Sequence, residues 1–151
     1  DSRGWFRENF NSFIASDTDF RVVQDNISFS RKGVVRGLHY QPEQKRLVQV
    51  IQGQVLDVSV DVHSGKVYTF LLRNTDDTVL YIPTGFAHGY SSLEDNTVVL
   101  YKTNQDYHPE SCIEINPLDP SLNIDWKVES IILSEKDQNS KTFKSLFGSF
   151  K

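Results

Sequence analysis

Four histidines are the side chains of this sequence best suited to move a proton at neutral pH: His39, His63, His88 and His108. His63 and His108 lie in polar turn segments, where we expect solvated side chains. His39 and His88 lie in strand-like segments among aromatic residues. A histidine in such a place is either a hydrogen-bonded core residue or, because an imidazole ordinarily titrates near ~6.5, a general acid or base. The residues around His39 favour the second interpretation.

Arg36 lies three residues before His39, and Gly37 lies between them. Strict strand alternation would place Arg36 and His39 on opposite faces. A shared site therefore requires a bulge or twist near Gly37, where glycine gives the backbone its freedom. Guanidinium groups suit bidentate contacts with phosphate. Arg36, Arg46 and Arg3 are thus candidate anion-binding residues, although Arg3 taken alone has the features of a surface arginine.

The single cysteine, Cys112, excludes an internal disulfide bond. It lies in the strand-like run 111–115. A catalytic cysteine would need a nearby base, so we interpret Cys112 as a buried, inert thiol.

A metal site is not expected. The segment Pro83-x-Gly85-x-x-His88 resembles the second motif of the cupin superfamily. Metal-binding cupins carry a His-x-His pair, a glutamate and a later histidine. Here the first pair is His39-Tyr40-Gln41, which leaves only His39, His88 and a doubtful oxygen donor, Glu43. Such sites usually have three or more protein ligands.

The length of 151 residues suits one domain, residues 1–151. The net charge of −4 argues against broad binding to nucleic acid, which requires a basic surface, but not against a small anionic ligand.

No apolar stretch approaches the ~18–20 residues of a membrane span, and no signal peptide is visible. We therefore expect a cytoplasmic protein without membrane contacts. Because the chain starts at Asp1 without Met, we expect its natural N-terminus to be missing.

Alternating apolar and polar residues dominate the chain. In residues 54–62 the even positions are apolar, and the odd positions include Asp57, Ser59 and Asp61. Many such short strands, separated by turn residues, predict a sandwich or barrel. Gln52-Gly53-Gln54 predicts a tight hairpin between two strands. Helix is predicted only near 8–13 and 141–147, and the polar tail, 134–151, is expected to end loosely. The other predicted strands are 20–28, 34–40, 46–52, 69–72, 79–82, 89–92, 98–102 and 112–115.

Seven segments spread over the chain resemble one known family when they are taken together and in order. They are Asp1-x-Arg3-Gly4, Val23-Gln24-Asp25-Asn26-x-Ser28, Arg36-Gly37-Leu38-His39-Tyr40-Gln41, Gly53-x-Val55-x-Asp57-Val58-x-Val60-Asp61, Ile82-Pro83-x-Gly85-Phe86-Ala87-His88-Gly89, Leu100-Tyr101-Lys102 and Leu133-Ser134-x-Lys136-Asp137. This combination is similar to the dTDP-4-dehydrorhamnose 3,5-epimerase family. The match runs from Asp1 to about Asp137 and lacks about one strand of N-terminal sequence.

The resemblance implies a fold, an activity and roles for individual residues. It implies an all-β, cupin-type double-stranded β-barrel (jelly roll) with minor helix, a homodimer, a nucleotide-sugar substrate, and neither metal nor organic cofactor. His39 matches the family's catalytic base, Asp137 the carboxylate that orients it, and Tyr101 the acid on the opposite face of the sugar. The positions that line the nucleotide-sugar site in the family are matched by Arg3, Glu8, Gln24, Asn26, Arg36 and His88.

One departure from the family lies where the sugar is recognised. The family has a lysine just before a Leu-Val pair, near the keto oxygen. Here Arg46 occupies that position and Lys45 lies beside it, so either cation could stabilise an enolate. An aromatic residue of the family near Tyr107 is replaced here by Asp106. These differences leave the identity of the substrate more open than the reaction.

The implied reaction removes the hydrogen at C3 or C5 of a 4-keto sugar and returns a proton from the other face. It requires a base, an opposing acid and a donor at the enolate oxygen. Within this class, inversion of one carbon only, or a GDP- or CDP-linked substrate, remains an alternative. A sugar-binding cupin without activity and a metal-dependent cupin are alternatives from other classes. The combination of His39, Asp137 and Tyr101 argues against binding alone.

Overall fold

The computed structural model describes residues 1–148, and the end of the predicted loose tail lies outside these residues. Two antiparallel sheets face each other. One has the order β1-β8-β3-β6 and the other the order β5-β4-β7-β2-β9. The strands are β1 (Gln24–Ser30), β2 (Val35–Tyr40), β3 (Arg46–Gln52), β4 (Gln54–Asp61), β5 (Val67–Arg73), β6 (Leu80–Ile82), β7 (Phe86–Ser92), β8 (Thr97–Thr103) and β9 (Ile113–Glu114).

Helix is a minor component, as predicted. The three helices are α1 (Ser12–Asp17), α2 (Glu135–Gln138) and α3 (Phe143–Phe147). The first begins four residues after the start of the predicted segment, because Asn11 caps it by accepting a hydrogen bond from the Ile14 amide. The second helix was not predicted, since four residues are too few to show a helical period. In the described part of the chain no helix is long and apolar enough to cross a membrane.

The five-stranded sheet uses its two faces differently. On the even face of β4, Val58 and Val60 pack in one core cluster with Leu122, Trp126 and Phe143 from the C-terminal segment. The odd face of β4 turns toward the four-stranded sheet, and Asp57 and Ser59 are almost fully buried there. The predicted polar face of this strand therefore lines the barrel interior. Since buried polar groups cost free energy unless they are paired, polar residues at this place indicate a site.

The predicted hairpin at Gly53 is wrong. The strands on either side of it, β3 and β4, do not pair with each other; they belong to different sheets. Gly53 is the corner where the chain crosses from one sheet to the other. Its φ of 80° and the lack of space explain the glycine, because a Cβ atom would lie 2.5 Å from Thr97 Oγ1.

Candidate active site

A cavity of about 430 Å³ lies between the two sheets. Both sheets contribute to it: β1, β3 and β8 from one and β2 and β7 from the other. Its volume is within the ~300–1,000 Å³ typical of small-molecule sites. The predicted site residues that line it are Gln24, Asn26, Arg36, His39, Arg46, His88, Tyr101 and Asp137.

His39 and Asp137 form the hydrogen bond that the resemblance to the family implies. His39 Nε2 lies 2.8 Å from Asp137 Oδ1. Asp137 lies in α2, where Ser134 donates a hydrogen bond to its other oxygen at 2.8 Å. Burial raises the pKa of Asp137, but the hydrogen bonds from His39 and Ser134 outweigh burial and keep the pKa below its ordinary value. The carboxylate is therefore charged at neutral pH. It holds the Nε2 proton and leaves Nδ1 of His39 as the basic nitrogen.

The strand that carries His39 contains the predicted bulge. The pairing of β2 with β7 shifts register between Arg36 and His39, so both side chains reach the cavity despite their spacing. Gly37 has φ 113°, and a Cβ atom there would lie 2.7 Å from the His88 carbonyl oxygen. Arg36 Nε donates to Ser30 Oγ at 3.1 Å. That bond fixes the guanidinium beside the cavity.

Of the two cations that the sequence left open, the structure places Arg46 at the cavity. Arg46 is 6% exposed, and within residues 1–148 its guanidinium makes neither a side-chain hydrogen bond nor an ion pair. Burial lowers its pKa, opposed by Cys112, Tyr101 and Asp57, but a guanidinium stays charged at neutral pH. Lys45 instead donates to the Asp19 carbonyl oxygen at 3.0 Å. A buried guanidinium that makes no side-chain hydrogen bond has donors available for a negatively charged oxygen.

Tyr101 lies on β8, in the sheet opposite the strand that carries His39, and both residues line the same cavity. Burial raises the pKa of Tyr101, and nearby Arg46 only partly offsets this. The phenol is therefore protonated at neutral pH and can donate a proton. Base and acid thus come from opposite walls of the cavity.

A second histidine–carboxylate pair lies beside His39, on the adjacent strands β7 and β4. His88 is opposite His39 in the register of β2 and β7, and its Nε2 lies 2.8 Å from Asp57 Oδ2. Asp57 is fully buried, and its Oδ1 has no hydrogen-bond partner within the described residues. Sequence reasoning missed Asp57 as a site residue. The sequence signals were its place on the polar face of β4 and within one of the segments that resemble the family, but neither assigned it a role.

Two residues that line the cavity were assigned no role or a different one. Lys136 lies at the cavity, forms an ion pair with Glu114 and donates to Tyr107 Oη at 3.2 Å. The motif around Asp137 contains Lys136, but spacing alone assigned it no role. Cys112 corrects an expectation: it is half-buried and lines the cavity rather than the core. Burial raises the pKa of its thiol, which is therefore mostly protonated.

Several predicted residues lie away from the cavity. Arg3 is exposed and pairs with Asp1, while Glu8 is exposed and accepts from Asn11 Nδ2 at 2.9 Å. The single chain therefore does not bring Arg3 and Glu8 to the site. His63 and His108 are exposed, as predicted. In the range 1–148 no three His, Cys, Asp or Glu residues are grouped in a way that could hold a metal ion.

Comparisons with known proteins give one family. A family model described as dTDP-4-dehydrorhamnose 3,5-epimerase matches residues 1–145. The enzyme of that name from Methanothermobacter thermautotrophicus is 42% identical, over 95% of this chain and 84% of its own. The Escherichia coli K12 enzyme is 40% identical over 97% of this chain and 85% of its own.

Solved structures agree with this comparison. The epimerase RmlC from Legionella pneumophila, in complex with dTDP-4-keto-L-rhamnose, is 38% identical and has a TM-score of 0.90 over 100% of this chain and 88% of its own. ChmJ, a 3'-monoepimerase from Streptomyces bikiniensis in complex with dTDP-quinovose, is 28% identical. Its TM-score is 0.89, over 99% of this chain and 83% of its own.

Proposed function

The chain belongs to the dTDP-4-dehydrorhamnose 3,5-epimerase family, and we propose that it inverts C3 and C5 of a dTDP-linked 4-keto-6-deoxy sugar. The reaction converts dTDP-4-dehydro-6-deoxyglucose to dTDP-4-dehydrorhamnose. The barrel and the relatives of about 40% identity support the substrate class.

The observation that carries the proposal is the opposition of base and acid across one cavity. His39, oriented by Asp137, comes from one sheet, and Tyr101 comes from the other. Inversion at carbon needs a proton removed from one face and another delivered to the opposite face. Binding alone would not need this arrangement.

The first step is proton abstraction. Both C3–H and C5–H are α to the C4 carbonyl, so Nδ1 of His39 can take either proton while the C–H electron pair moves onto the C4 oxygen. Asp137 stabilises the imidazolium that forms. Arg46 stabilises the enolate oxygen, an electrostatic contribution that is commonly ~3–4 kcal/mol for one donor. Within the described residues the Arg46 guanidinium forms no ion pair, so none must be broken when it binds the enolate oxygen.

The second step returns a proton from the other face. The enolate carbon takes the proton of Tyr101, and the electron pair of the enolate re-forms the carbonyl at C4. The tyrosinate that results takes a proton from solvent, which regenerates the phenol, and His39 loses its proton to solvent. Every step uses side chains of this chain, so we expect the enzyme to work without a metal or an organic cofactor.

We assign the remaining cavity residues to binding. Arg36 is a guanidinium suited to the diphosphate. Gln24 and Asn26 are joined by a 2.6 Å hydrogen bond on β1 and present amides to the nucleotide. Asp57 holds Nε2 of His88, which leaves Nδ1 as an acceptor for a sugar hydroxyl.

A homodimer would account for the residues that lie away from the cavity. The N-terminal segment and the strand β1 expose large apolar side chains: Phe6 is 91% exposed, Ile27 72% and Phe29 58%. Exposed apolar surface of this kind marks association sites. In a two-fold dimer the N-terminal segment, with Arg3 and Glu8, would reach the neighbouring barrel's sugar site. We expect such a dimer to work in the cytoplasm, and a fully active monomer in sedimentation velocity at micromolar concentration would contradict it.

The proposed reaction is tested by solvent exchange. The enzyme is incubated in heavy water with dTDP-4-dehydro-6-deoxyglucose, and the sugar is followed by NMR. We expect deuterium at both C3 and C5 and accumulation of dTDP-4-dehydrorhamnose. Deuterium at one carbon only would identify a monoepimerase, and no exchange with any dTDP-, GDP- or CDP-linked 4-keto sugar would refute the proposed activity.

A further inference from the structure

A second cavity, of about 260 Å³, opens where the edge strand β5 of one sheet meets the edge strand β6 of the other. We call it the rear cavity. Its walls include the aromatic rings of Tyr68, Phe70, Tyr81 and Phe86, and Ser59 on β4 lies in its buried part. Within the described residues it shares no lining residue with the larger cavity.

The rear cavity contains an unsatisfied hydroxyl group. Ser59 is 4% exposed, and its Oγ has no hydrogen-bond partner in residues 1–148. Buried polar groups are almost always paired in proteins, and leaving one unpaired costs free energy. A ligand that offers one donor or acceptor to Ser59 would remove this cost.

The lining residues of the rear cavity restrict the shape, charge and size of such a ligand. Phe86 packs edge-on against Tyr68, with ring centroids 5.9 Å apart, so the rings hold a fixed arrangement. No charged side chain is among the lining residues, so a charged ligand would lose its hydration without compensation. A cavity of about 150 Å³ holds benzene, so the rear cavity has room for one or two fused rings.

Two strand pairings fix where such a ligand would sit. Ser59 is opposite His88 in the register of β4 and β7, and Ile82 is opposite Arg46 in the register of β6 and β3. The rear cavity therefore lies one strand further along each sheet than the larger cavity. The two are adjacent but separate.

We propose that the rear cavity is a binding site for a small, neutral, planar ring compound that carries one hydrogen-bonding group. The site is separate from the nucleotide-sugar cavity and does not depend on the epimerase activity. The aromatic walls supply the contact area, and Ser59 supplies the polar contact.

Indole is a suitable probe, because it is neutral, bicyclic and has one N–H donor. Its binding to the full chain is measured by calorimetry, with and without dTDP. Two neighbouring residues of β5 provide a matched pair: Phe70 lines the rear cavity and is 40% exposed, whereas Leu71 does not line it and is 45% exposed. We expect saturable binding that weakens roughly five-fold or more in Ser59→Ala and in Phe70→Ala but is unchanged in Leu71→Ala.

An excess of dTDP should leave indole bound, since the two cavities are distinct. The proposal is overturned if indole does not saturate at millimolar concentration, or if dTDP displaces it. It is also overturned if Phe70→Ala and Leu71→Ala bind indole equally. Thermal melting of each variant identifies any loss of folding. If Phe70→Ala does not fold, the comparison of indole affinity between Ser59→Ala and Leu71→Ala decides the outcome.

Discussion

His39 Nε2 and Asp137 Oδ1 lie 2.8 Å apart although the two residues are 98 positions apart in the chain. One comes from a strand of the five-stranded sheet and the other from a four-residue helix after the last strand. The C-terminal segment is held by Asp119, which accepts from the Phe143 amide at 2.6 Å, and by Phe143 itself, which is buried against the sheet. Packing far from the cavity therefore positions the carboxylate that orients the base.

Asp137→Asn should leave the fold intact and lower kcat strongly. The amide carries no charge to stabilise the imidazolium and does not fix the tautomer, and the loss for a comparable substitution in a histidine–carboxylate pair is about 10⁴-fold. Glu135→Gln is the control, because Glu135 is an exposed carboxylate of the same helix. Steady-state kinetics and circular dichroism check both variants. Equal rates for Asp137→Asn and Glu135→Gln would refute the role of Asp137.

Substitutions of the neighbouring residues Arg46 and Lys45 should differ in their effect on kcat. Arg46→Gln should lower kcat about 10²–10³-fold, since it removes the donor at the enolate oxygen. Lys45→Gln should leave kcat unchanged, because Lys45 contacts Asp19 away from the cavity. Kinetics on both variants, with thermal melting to detect misfolding, makes the comparison. A larger loss in Lys45→Gln would show that the cations have been assigned the wrong way round.

Tyr101→Phe should separate abstraction from inversion. Without the phenol the base can still remove and return a proton on its own face, so solvent exchange persists while inversion falls. Because burial raises the pKa of Tyr101, wild-type inversion should not be lost through its ionisation below about pH 10. NMR measures exchange and inversion in the same sample. Parallel loss of both in a folded Tyr101→Phe variant would mean that Tyr101 is not the opposing acid.

The sequence predicts residue identities at the site better than it predicts which strands pair. The three-residue spacing of Arg36 and His39 required a bulge, and the structure has it at Gly37. A glycine between two strands does not reveal whether the chain turns back or crosses to the other sheet, so the hairpin at Gly53 was wrong. Nor does alternation reveal that Asp57 reaches His88, because this contact depends on the register of β4 and β7.

The sequence also did not predict which single side chains face the cavity and which face solvent. Cys112 belongs to a strand-like run, yet the strand there is only two residues long, and the thiol precedes it at the cavity wall. Arg46 and Lys45 could not be separated by type or spacing alone. They differ because Arg46 begins β3 and faces inward, while Lys45 precedes the strand.

The proposed base is tested most directly by solvent exchange in His39→Ala. In heavy water with dTDP-4-dehydro-6-deoxyglucose, the wild-type enzyme should incorporate deuterium at C3 and C5. His39→Ala should incorporate none above the rate without enzyme at either carbon, because one base serves both positions. His63→Ala, which removes an exposed histidine outside the cavity, should exchange like the wild type. Near-normal exchange in a folded His39→Ala variant would contradict the assignment and make His88 the next candidate.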